Sequence, residues 1–83
     1  MNVCIFVLDV EEFAPLVLCA RQMPTTEVTG PCQGYLRIAS SSHLEFSRKQ
    51  LGFKPAVWYG ALTGGLVGHI VEFSRDTLRI EAT

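Results

Sequence analysis

The sequence predicts a small α+β domain with a mostly antiparallel sheet of four to five strands and one or two helices packed on one face. Three observations carry that expectation. Apolar runs of strand length recur at Val3–Leu8, at Tyr35–Ser40 and through the last third of the chain. Turn signals at Thr63-Gly64-Gly65 and Ser74-Arg75-Asp76 join the last runs into a three-strand meander. Helix start and stop signals agree over one segment, His43–Leu51. Partial closure into a small β-barrel with one helix is the alternative.

Val3–Leu8 (V-C-I-F-V-L) is apolar throughout and rich in β-branched residues, as expected of a central strand covered on both faces. Asp9, Glu11 and Glu12 follow, and acidic groups complement the positive end of a helix dipole. A helix over Glu11–Gln22 would align Phe13, Leu16, Val17 and Ala20, but Pro15 would then fall in its interior. A helix that begins near Ala14, or a strand over Leu16–Arg21, removes the conflict. Met23–Gln33, with Pro24, Gly30 and Pro31, reads as a long loop. Tyr35–Ser40 reads as a strand, with Leu36 and Ile38 on one face and Tyr35 and Arg37 on the other.

Ser42-His43-Leu44-Glu45 matches the capping-box pattern. Leu44, Arg48 and Leu51 recur at helical spacing, Gly52 suits the left-handed position after a helix, and Pro55 lies just beyond. From Ala56 the expected strands are Ala56–Leu62, Leu66–Phe73 and Thr77–Ala82. In the last of these, Leu78, Ile80 and Ala82 alternate with Thr77, Arg79 and Glu81, which marks one wet face. Glu-Phe-Ser-Arg occurs at both 45–48 and 72–75. The two copies fall in different predicted structure, which makes the match a coincidence.

The length of 83 residues predicts a single domain over 1–83 with a small core. Residues of the hydrophobic class make up 48% against 18% charged, more apolar surface than so small a monomer can hide. A homodimer is the expected outlet, with a protein partner or a small apolar ligand as the alternatives. The net charge of −1 supplies no field to attract nucleic acid. The three cysteines, Cys4, Cys19 and Cys32, are odd in number and lack C-x-x-C spacing, which predicts free thiols in a reducing cytoplasm. No basic, apolar leader pattern opens the chain. The uncharged stretch between Lys54 and Glu72 is interrupted by Gly60, Gly64, Gly65 and Gly68 and reads as a hairpin, not a membrane span.

No catalytic signature, metal-ligand pair or phosphate-binding glycine motif is present in the sequence, so neither a catalytic residue nor a cofactor is expected. Alternation in Leu66–Phe73 places His69 with Val67, Val71 and Phe73. A histidine in that setting is either a core residue or, with Tyr35, a ligand-binding group in an apolar cavity. Trp58 and Tyr59 lie on a strand that is apolar on both faces and are the expected interface residues. Arg48, Lys49 and Lys54, near the same aromatics, form the one basic patch from which weak single-stranded nucleic-acid binding could come. The expected function is a non-enzymatic binding module that self-associates through an apolar strand or sheet face. A small pocket protein or enzyme using His69 is the alternative.

Overall fold

The computed structural model describes residues 3–82 and is α+β, with two antiparallel sheets and a few short helices. The first strand, β1 (Val3–Leu8), leads through a 3-10 turn at Glu11–Phe13 into helix α1 (Ala14–Arg21). Pro15 sits in the first turn of α1, where its missing N–H costs nothing, so the helix that begins at Ala14 is the one that forms. Leu16, Val17 and Ala20 turn inward from it.

The segment expected to be a loop instead contains strand β2 (Thr26–Cys32). Thr26, Val28 and Thr29 are β-branched, Thr26 and Val28 are half-buried while Glu27 and Thr29 are exposed, and this pattern prevails over the glycine and proline later in the strand. Gly30 and Pro31 fall where the pairing with the next strand shifts register, at a sheet edge that tolerates proline. Strand β3 (Tyr35–Ser40) follows as expected and pairs with both β1 and β2.

The helix expected over His43–Leu51 is mostly strand. β4 (His43–Ser47) buries Leu44 and Phe46 and turns His43, Glu45 and Ser47 outward, a period of two that the helical reading overlooked. Only a single turn, α2 (Arg48–Leu51), is helical. Its cap is Ser47, whose side chain accepts a hydrogen bond from the Gln50 N–H at 3.5 Å. The serine cap that operates is Ser47, five residues after the expected Ser42. Gly52 closes α2 in the left-handed conformation at φ 73°, as its sequence position suggested.

Ala56–Leu62 is not a strand either. Pro55 opens helix α3 (Pro55–Tyr59) from its first turn, so this proline is a start signal and not the stop it resembled. Trp58 and Ala61, three residues apart, are both buried. The remaining strands are β5 (Leu66–Val67), β6 (His69–Phe73) and β7 (Thr77–Glu81).

The larger sheet has the order β2-β3-β1-β5 and the smaller one β4-β7-β6. The single expected strand Leu66–Phe73 thus divides between two sheets. Gly68 is the point of division. At φ 138° it holds a backbone conformation that other residues rarely adopt, and a β-carbon there would lie 2.8 Å from Val3 Cγ2 and 2.9 Å from the Glu81 carbonyl oxygen. The result is two separate sheets and not the closed barrel that was the alternative. One cluster of buried side chains joins the layers: Val3, Ile5 and Val7 from β1, Leu36 and Ile38 from β3, Leu16 from α1, and Leu44, Phe46, Leu78 and Ile80 from the smaller sheet.

The repeated Glu-Phe-Ser-Arg proves to occupy equivalent places. β4 and β6 flank β7, so Glu45 and Glu72 both stand opposite Arg79, while Phe46 and Phe73 both stand opposite Leu78. The same short pattern meets the same cross-strand partners twice, a charged pair and an apolar pair.

Candidate functional site

Trp58 is fully buried, and its indole N–H donates to the Ser74 carbonyl oxygen at 2.8 Å. Its ring meets Phe73 edge-on at 5.8 Å. It is therefore a core residue, not the exposed anchor expected for an interface. Tyr59 is the reverse, 51% exposed, with its ring centroid 5.5 Å from that of Phe73.

Of the expected basic patch, Arg48 is engaged within the fold. The Arg48 guanidinium donates to Asp76 Oδ1 at 2.9 and 3.2 Å, to the Phe53 carbonyl at 2.9 Å and to the Arg75 carbonyl at 2.9 Å. With its donors directed at the Arg75–Asp76 turn and the end of α2, it ties two segments together. The hydrogen bond from Arg48 holds the Asp76 carboxyl below its ordinary range. Lys49 and Lys54 are exposed; of the two aromatics expected beside them, Trp58 is out of reach of a base and Tyr59 is exposed.

His69 is exposed on β6 and is not enclosed as expected. A bulge between Ile70 and Glu72 disturbs the alternation on which that placement rested. His69 and His43 both stand opposite Glu81, one on each side of β7, while the Glu81 carboxylate is taken by Arg79 at 2.9 Å. Among the described residues, no three ligating side chains converge tightly enough to hold a metal ion.

Two surfaces do have site-like geometry. One is an open edge. β5 ends the larger sheet and β6 ends the smaller one, so the continuous segment Leu66–Phe73 is an unpaired border of both. Val67, Ile70 and Val71 are 48%, 42% and 49% exposed along it, and Tyr59 leans on its last residue. These four account for most of the large apolar side chains that are exposed among the described residues, the others being Val10 and Leu18. The edge was partly legible in the sequence, since Leu66–Val71 contains no charged side chain. The division between two sheets was not.

The second surface is a groove of about 680 Å³ on the face of the larger sheet that points away from Val3, Ile5 and Val7. Phe6 from β1 and Tyr35 and Arg37 from β3 line its floor. Thr29, Cys32 and Gln33 form one wall and Gly64 the other. Tyr35 was expected to bind a ligand with His69. It does lie in a groove, but its neighbours are Phe6 and Arg37, which sequence reasoning did not single out. Cross-strand register brings them together: Phe6 and Thr29 both stand opposite Arg37.

The chain is thus a small α+β domain of two antiparallel sheets. Neither protein-family models nor the curated proteins contain a match for it.

Proposed function

We propose that this chain is a non-enzymatic binding module that docks through the open edge Leu66–Phe73 and self-associates as a homodimer by that edge. The observation that carries the reading is the coincidence of two features on one segment. Unpaired strand edges are normally blunted with charge or covered, because their free N–H and C=O groups template pairing with another chain. Here the edge carries Val67, Ile70 and Val71, and the bulge leaves Ile70 and Val71, two successive apolar side chains, in solvent together. Antiparallel pairing of two β6 edges centred between Ile70 and Val71 sets His69 of one copy opposite Glu72 of the other, a favourable cross-strand pair.

The free cysteines Cys4, Cys19 and Cys32 suit a reducing cytoplasm as the working compartment. No helix among the described residues is long and apolar enough to cross a membrane. Sedimentation velocity over a range of concentrations tests the reading. The wild type should move toward twice 9.2 kDa, and Val71→Lys should shift it back to monomer while the far-UV circular dichroism stays the same. A wild-type protein that remains a clean monomer at the highest concentration overturns self-association.

A further inference from the structure

The groove on the outer face of the larger sheet is separate from the edge and has its own chemistry. Arg37 is the informative residue. The other half-buried arginines have fixed partners: Arg48 is bound to Asp76 and two carbonyls, and Arg79 to Glu45 at 2.6 Å and Glu81 at 2.9 Å. Arg37 is half-buried in mid-strand, yet it makes no ion pair or side-chain hydrogen bond with the described residues. No carboxylate lines the groove. Glu27, two residue pairs further along β2, makes no ion pair with it. A partly desolvated guanidinium without a partner favours an incoming anion, and its planar fork fits a carboxylate best.

The surroundings of that fork set the rest of the ligand. Phe6 stands directly opposite Arg37, and Tyr35 shares its face two residues away. Gly64 approaches the Tyr35 ring so closely that a β-carbon would fall 2.7 Å from Cε1, which makes that side of the ring a rigid wall. A lone cation without other basic lining residues does not fit a phosphate group, which normally gathers several donors. The volume of about 680 Å³ is within the range of small-molecule pockets, which combine apolar walls with a few orienting polar groups. We propose that this groove binds a small aromatic carboxylate, with Arg37 holding the carboxylate and Phe6 and Tyr35 flanking the ring.

Amide shift mapping by two-dimensional NMR tests the proposal with indole-3-acetate as the probe. Indole-3-acetamide serves as the uncharged control and acetate as the ringless one. Saturable shifts should appear at Phe6, Thr29, Tyr35 and Arg37, with a dissociation constant of about 1 mM or tighter. The amide and acetate should each bind about tenfold more weakly or worse, since each lacks one of the two recognised features. Arg37→Gln should weaken the probe by the same factor without altering the rest of the spectrum, and Arg37→Lys should fall between. Equal binding of acid and amide, shifts centred elsewhere, unchanged affinity in Arg37→Gln, or no shifts up to about 10 mM probe would each overturn it.

Discussion

The seam at Gly68 is the most demanding place in the fold, and replacing that glycine with alanine measures how demanding. Two costs follow from the geometry. The backbone at φ 138° must be held by an L-residue, which costs about 1–3 kcal/mol. The new methyl also meets Val3 Cγ2 at 2.8 Å, the Glu81 carbonyl oxygen at 2.9 Å and Ile80 Cγ2 at 3.0 Å. Overpacking of this kind costs about a further 1–3 kcal/mol. The sum, roughly 2–6 kcal/mol, is comparable with the whole stability of a domain this small. Gly65→Ala is the matched control, because Gly65 also has positive φ, 97°, but a β-carbon there meets nothing within 4 Å. Urea unfolding followed by circular dichroism should show Gly65→Ala lowering stability by about 1–3 kcal/mol and Gly68→Ala by clearly more. If the two variants unfold at the same midpoint, the close approach of the sheets at Gly68 has no energetic weight and the reasoning fails.

Other outcomes follow from side chains already placed. Trp58 is the sole tryptophan, so its fluorescence should be blue-shifted and resistant to iodide quenching in the native protein, and strong quenching would contradict its burial. Trp58→Phe removes the donor to Ser74 and part of the core volume, and should cost about 2–4 kcal/mol in the same urea assay. The Arg48 hydrogen bond holds the Asp76 carboxyl below the ordinary aspartate range in the folded state, so its contribution is fully present above that range and is lost as pH falls through the lowered one. Unfolding midpoints measured between about pH 5 and pH 2 should therefore fall less steeply in Asp76→Asn than in the wild type.

The two proposed surfaces respond to different variants. Val71→Lys changes the edge and leaves Arg37 in place, whereas Arg37→Gln changes the groove and leaves the edge apolar. Loss of self-association and loss of carboxylate binding are thus separable, and either reading can fail alone. Tyr59 belongs with the edge through its contact with Phe73, and Tyr35 with the groove through Phe6 and Arg37.

Strands whose pattern is set by their own side chains were legible in the sequence. Val3–Leu8, Tyr35–Ser40 and Thr77–Glu81 form where apolar runs or strict alternation foretold them, because burial on a sheet face requires that periodicity. Gly52 is likewise a local matter, since the left-handed residue after a helix needs no distant partner. Tertiary structure decided the segments whose local signals were compatible with two answers. Ser42-His43-Leu44-Glu45 can cap a helix, yet pairing with β7 gives Glu45 an arginine across the strand and buries Leu44 and Phe46, which one helical turn could not do. Pro55 can follow a helix or begin one, and the space for Trp58 above Phe73 and Ser74 selects the second. The same holds for both candidate surfaces. Arg37 meets Phe6 only through the register of β3 with β1, a strand far away in the chain, and Leu66–Phe73 becomes an edge only because no described strand pairs beyond it. Periodicity is a property of a few neighbouring residues and can be read from them. Pairing partners and free edges are properties of the assembled sheets, and they exist only once distant strands have met.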